Sequence, residues 1–142
     1  MLWYVRKELT YKKNGILMTD SQNVELNSIV SKDNQIGAFS TGASIVNVHL
    51  SVLMNNQIGF AVYSTQQATI ENNILYQNTL AGITLVNSNN GVFNLNSITE
   101  SGNGINVDNQ SNNNNINFNN ALLNTIDLNN ANGLPVNTNA NT

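Results

Sequence analysis

Apolar and polar residues alternate in short bursts along this chain. After Gly15, Gly59, Gly82, Gly104 and Thr125, alternate residues are apolar: Ile16/Met18, Phe60/Val62, Ile83/Leu85, Ile105/Val107 and Ile126/Leu128. A second alternation follows several residues later, at Val24/Leu26, Val46/Val48, Ala68/Ile70, Phe93/Leu95 and Ile116/Phe118. A third begins at Ile29, Val52, Ile74, Ile98 and Ala121. A period of two marks a strand with one buried face. No stretch carries a convincing 3.6-residue period. Asn, Ser and Gly separate the bursts, as turn formers do.

The bursts recur on a fixed beat. Similar phrases open at Gly15 (GILM), Gly37 (GAFS), Gly59 (GFAV), Gly82 (GITL), Gly104 (GINV) and Thr125 (TIDL), at intervals of 22, 22, 23, 22 and 21 residues. A second phrase keeps time with the first: NSI at Asn27–Ile29, LSV at Leu50–Val52, NNI at Asn72–Ile74, NSI at Asn96–Ile98 and NNA at Asn119–Ala121. Such a period signals a stacked-repeat architecture. Three short strands per repeat, joined by two or three corners, make one turn of a coil. Each strand then pairs in parallel with its counterpart one coil on, about 4.8 Å away. One coil cannot bury its apolar face alone, but six can. The expected fold is an all-β parallel β-helix of about six coils. Leucine-rich repeats share the period, but their leucine spacing and helical half are missing.

Asparagine sharpens this picture. The chain holds 32 of them, and eight crowd into the twelve residues NQSNNNNINFNN at 109–120. An asparagine tolerates left-handed backbone angles, and its amide both donates and accepts. Like asparagines one coil apart should bond in a ladder. Asn72, Asn96 and Asn119 are expected to form one, with Asn27 cut off by Leu50. Residues 112–115 are expected to form a loose loop, since no apolar residue stands near Asn113. The chain divides into an N-terminal cap over 1–13, the β-helix over 14–130 and a polar tail over 131–142. Open sheet edges at both ends need covering. Thin caps, end-to-end or homo-oligomeric pairing, or membership of a longer solenoid would each answer that need.

Charge is scarce: 9% of residues, with a formal net charge of −3. The five basic residues, Arg6, Lys7, Lys12, Lys13 and Lys32, all fall in the first third. Nucleic acid is therefore a poor partner. No apolar run approaches the roughly 18 residues of a membrane span. The start, MLWYVRKEL, lacks the charge order of a signal peptide. Cysteine is absent, which removes disulfides and thiolate metal sites.

The recurring phrasing GI-x-L…S-x-N…N-x-I resembles the right-handed parallel β-helix repeat of the pectin-lyase-like superfamily, over residues 14–130. That resemblance implies the fold and leaves the function open between polysaccharide lyases, glycosidases, epimerases, tailspikes, adhesins and copper-site maturation factors. The asparagine-rich style and the ending NNANGLPVNTNANT resemble β-helix proteins of spore-forming Gram-positive bacteria. This implies an extracellular, cell-surface or spore-surface place.

Catalysis would need carboxylates converging across neighbouring coils, about 5–5.5 Å apart for retention and about 6.5–9.5 Å for inversion. Asp108 and Asp127 are the nearest candidates, on adjacent coils and two positions out of register. The acid-pair and His-Gly motifs of the family are absent. His49 is the single histidine and reads as an outward strand residue; a copper site would have to draw on Met54 and Met18. No metal and no cofactor is expected. Tyr63 and Tyr76 are the candidate glycan contacts, each a ring able to stack on a sugar. Leu17, Phe39 and Ala61 should form an apolar patch on the outer face, covered by Trp3 and Tyr4. The expected role is a non-catalytic module that binds polysaccharide or cell-surface glycan, or acts as a rigid spacer. The alternative is a polysaccharide lyase or glycoside hydrolase, whole or partial.

Overall fold

A computed structural model of the chain describes residues 8–9 and 12–131. The strands form three parallel sheets. The glycine sheet holds Asn14–Thr19, Ile36–Thr41, Ile58–Tyr63, Ala81–Val86, Asn103–Val107 and Ile126–Asn130. The middle sheet holds Asn23–Asn27, Ile45–His49, Gln67–Glu71, Val92–Asn94 and Asn115–Asn117. The third sheet holds Glu8–Leu9, Val30–Lys32, Val52–Met54, Ile74–Tyr76, Ser97–Thr99 and Asn120–Leu122. Each strand pairs with the strand three elements on, the path of a solenoid. Among the described residues there are five complete turns, with a single strand added at each end. Most of the expected caps, Trp3 and Tyr4 included, lie outside the described residues. Glu8 and Leu9 already pair with Val30 and Ser31, so the coil path runs into the segment expected to cap it.

Like residues pile into columns. In the glycine sheet the register is Ile16, Ala38, Phe60, Ile83, Ile105 and Leu128. Phe60 and Ile83 are fully buried. Ala38 is the small neighbour beside Phe60, so volume lost in one coil is recovered in the next. In the middle sheet the column is Leu26, Val48, Ile70, Phe93 and Ile116. Phe93 reaches back over Gly91, where an added Cβ would stand 2.5 Å from its ring. Full burial of each such side chain stabilises the fold by about 1.5–3 kcal/mol.

The corners differ from expectation in an instructive way. Each coil bends through single residues with left-handed angles, such as Leu50 (φ 53), Asn72 (φ 57), Leu95 (φ 54) and Phe118 (φ 52). Such a residue projects outward and the next one turns inward. The inward column at this bend is Ile29, Ser51, Asn73, Asn96 and Asn119, all buried. The ladder member is therefore Asn73, while Asn72 is the exposed bend residue before it. The backbone N–H of Asn73 donates to Asn96 Oδ1 at 3.2 Å, and that of Asn96 to Asn119 Oδ1 at 3.0 Å. The amides continue the chain: Asn73 Nδ2 donates to Asn96 Oδ1, and Asn96 Nδ2 to Asn119 Oδ1. Each amide also donates back to a main-chain carbonyl, Asn73 to Val48 O and Asn96 to Ile70 O. Toward the N-terminus Ser51 ends the ladder, accepting from Ile29 N.

The bend also explains why four apolar assignments fail. Leu95 and Phe118 occupy the left-handed position and face solvent instead of the core. Past the bend the inward residues are Ser31, Leu53, Leu75, Ile98 and Ala121, so Val52 and Ile74 face outward. In the last coil Asp127, not Thr125, pairs with Gly104. Residues 112–115 are held as well. Asn114 is buried, accepts from Gly91 N at 2.9 Å and donates to Ser88 O at 2.9 Å.

The outer face of the glycine sheet carries a smaller patch than expected. Phe39 packs edge-on against Tyr63, with ring centroids 5.0 Å apart at 84°. Ala61, beside Phe39 in the register, is fully buried, which leaves Leu17 as the exposed member.

Two outcomes test this account. Asn96→Ala strands the N–H of Asn73 and the carbonyl of Ile70, and should lower unfolding free energy by about 3 kcal/mol in urea titration. Asn72→Gly, one residue away in its sequence phrase, should change stability by less than about 0.5 kcal/mol, since glycine accepts the left-handed bend. Gly59→Ala would place a Cβ 2.6 Å from the Gly82 carbonyl. Backbone cannot yield cheaply there, so thermal unfolding should fall by several degrees or more.

Candidate functional site

The corner between the third sheet and the glycine sheet repeats the same recipe with wider consequences. Its bend column is Asp33, Asn55, Gln77, Glu100 and Leu123, all with φ between 52 and 60. Its inward ladder runs from Lys12 N to Asn34 Oδ1, Asn34 N to Asn56 Oδ1, Asn56 N to Asn78 Oδ1, Asn78 N to Ser101 Oγ and Ser101 N to Asn124 Oδ1. Because the ladder residue turns inward, the residues on either side of it stand out as two parallel rims. Between them lies a shallow cleft of about 390 Å³. Asp33 and Asn55 form one rim, and Gln35, Gln57 and Thr79 the other. Buried Asn34 and Asn56 make the floor, and Lys12 stands at the N-terminal end. Further along, Gln77 Nε2 donates to Glu100 Oε2 at 2.9 Å.

This cleft presents amide and hydroxyl groups from three successive coils. Each amide offers two donors and an acceptor in fixed spacing. The floor is rigid: Asn34 Nδ2 donates to Ser31 Oγ and Lys32 O, and Asn56 Nδ2 to Ser31 O. Such a surface can hold a ligand that is itself rich in paired donors and acceptors. Tyr76 ends the strand Ile74–Tyr76 directly before Gln77; it is half-buried on the third sheet and is not among the residues that line the cleft.

The other residues singled out in the sequence are dispersed. Tyr63 lies on the glycine sheet, packed against Phe39, and shares no face with Tyr76. Asp108 accepts from Asn87 N, Gln110 N and Ser111 Oγ, so it caps a bend. Asp127 accepts from Asn124 Nδ2 at 3.1 Å. With Asp127 opposite Gly104, the two aspartates stand four positions out of register, about 13 Å apart along the strand direction. Their backbones alone are thus offset by more than the carboxyl separation of either hydrolytic geometry, and each carboxylate is bonded at a bend of its own. Counting the last coil from Thr125 puts them only two positions apart; strand pairing does not.

His49 faces outward on the middle sheet, its Nε2 3.3 Å from Glu25 Oε1 and its backbone paired with Glu71. Met18 is buried in the glycine sheet and Met54 faces outward on the third. The three never converge. Among the described residues, no group of three or more His, Asp or Glu side chains is placed to hold a metal ion.

The cleft residues escaped the sequence reading, though a signal was there. Counted from each opening glycine, Asp33, Asn55, Gln77 and Glu100 share one offset, and Gln35, Gln57 and Thr79 another. Reading polar columns as closely as apolar ones would have found both rims.

No curated protein and no solved structure matches the chain. The pattern describing a right handed beta helix region matches residues 6–121, most of the sequence. The right hand is also the one that twisted parallel strands favour in their crossovers. With its parallel sheets, its once-per-turn columns and this match, the chain belongs to the right-handed β-helix family.

Proposed function

We propose that this β-helix is a non-catalytic surface or appendage module, working outside the cell or on a cell or spore surface, that holds a glycan along the third-to-glycine corner. The observation that carries this reading is the cleft with Gln35, Asn55, Gln57 and Thr79 on its rims. Neutral amides in repeated register suit a hydroxyl-rich polymer, whose own groups donate and accept by turns. A ligand that extends from the cleft onto the third sheet would meet Tyr76, at the end of the strand leading into this corner, as an apolar face on which a sugar ring can stack. The low charge, a formal net of −3, supports a neutral partner over a polyanion. The stiffness of the ladders suits a spacer that carries such a site at a fixed distance. The distance between Asp108 and Asp127 argues against the hydrolytic alternative.

A glycan array followed by calorimetry on the best oligosaccharide tests this. Tyr76→Ala and Gln57→Ala should each weaken binding about tenfold, while Tyr63→Ala should leave it unchanged. Reducing-sugar and unsaturated-product assays on the same ligand should stay at background. Silence across the array, or binding indifferent to both cleft substitutions, would remove the reading.

A further inference from the structure

Among the described residues, fifteen other than glycine hold left-handed backbone angles, and most are Asn, Asp, Ser or Gln. Four are large and apolar: Leu50, Leu95, Phe118 and Leu123. Three of these four fall in one column, on the bend between the middle and third sheets, where Asn72 is the remaining inner member. Leu50 is 62% exposed, Leu95 56% and Phe118 54%. Ile74, 51% exposed, stands on the adjoining outward column of the third sheet, next to half-buried Val52. Such placements are unfavourable twice over. A left-handed backbone crowds any side chain with a Cβ, and apolar surface is left in water. Strain retained in this way directs attention to a function outside the fold itself.

The four exposed side chains offer on the order of 100 Å² each, about 400 Å² together, within the size range of patches that mark interaction sites. From the first complete coil onward neither column carries an ionisable residue: the bend column is Ser28, Leu50, Asn72, Leu95 and Phe118, and the strand column Val30, Val52, Ile74, Ser97 and Asn120, with Glu8 in register only beyond Val30 at the N-terminal end. An uncharged surface with rungs about 4.8 Å apart is suited to a second surface with the same rungs.

We propose that this ridge is where two copies of the chain meet. Two ridges lying antiparallel, with a two-fold axis between the third and fourth coils, set Leu50 of one copy against Phe118 of the other, and Asn72 against Leu95. The contact is then isologous, and the second to fifth coils each find a counterpart, leaving the Ser28 coil outside the contact. With a polar rim, such a pairing buries about 1,000 Å² in total, the low end of specific interfaces, and makes a dimer that depends on concentration. The ridge and the cleft lie on opposite edges of the third sheet, so either proposal can fail without the other.

Sedimentation of the full chain from about 1 µM to about 1 mM should show monomer giving way to dimer. Leu50→Asn and Leu95→Asn place at each bend a residue suited to it. The circular dichroism spectrum and low-concentration thermal midpoint should hold or improve, while dissociation shifts at least about tenfold toward monomer. The chain has no cysteine, so single cysteines report cleanly. A mixture of L50C and F118C should form a disulfide-linked pair under mild oxidation, while either variant alone should form little. A chain monomeric throughout the range, its ridge covered by its own end or kept for another partner, would overturn the proposal. So would a dimer indifferent to both asparagine substitutions, or cross-linking by each cysteine variant alone equal to that of the mixture.

Discussion

An N–H group at a bend must find an acceptor, and that requirement organises the whole molecule. Along the strands, every coil supplies carbonyls for the next. At the bends the inward-turned residue points its N–H along the axis, where a side-chain oxygen from the following coil receives it. Asn96 does this for Asn73, Asn119 for Asn96, Asn56 for Asn34 and Ser88 for Thr65. A buried donor left without a partner costs about 1–3 kcal/mol, and each ladder would hold several. The asparagines are thus the means by which a chain with few charges keeps a sharply cornered backbone out of water. The apolar columns fill the interior, while the ladders keep those columns in register.

Much of this was legible in the sequence. The recurring glycine phrase fixes the glycine sheet, and Ile16, Phe60, Ile83 and Ile105 do share a column. The errors arose at bends. Hydropathy cannot distinguish an apolar residue that points inward from one held at a left-handed corner, so Leu95 and Phe118 look like core residues in the sequence and face solvent in the fold. A bend also shifts phase, which moved Val52 and Ile74 outward and passed the ladder from Asn72 to Asn73. Thr125 was misjudged because its phrase imitates the glycine phrase, whereas strand pairing places Asp127 opposite Gly104.

Function was harder to read, for a related reason. Catalytic and metal chemistry announces itself through charged or imidazole side chains, and those are few here and spread over different faces. The cleft at the third-to-glycine corner is made instead of amides, which in this sequence also do structural work. Telling an outward Gln57 from an inward Asn56 requires knowing where the chain bends. The same knowledge reveals the ridge, since Leu50 is unremarkable as a residue and unusual only for the angle it holds.

The backbone-to-side-chain bonds of the ladders all point one way: the backbone donor belongs to one coil and the side-chain acceptor to the coil that follows. A coil therefore asks its successor only for an oxygen at the right place, and makes the same offer to its predecessor. Duplicating a stretch of 22 or 23 residues would satisfy both neighbours at once and lengthen the rod by about 4.8 Å. Length in such a molecule can change in whole steps, by tandem copying, without redesign of anything already built.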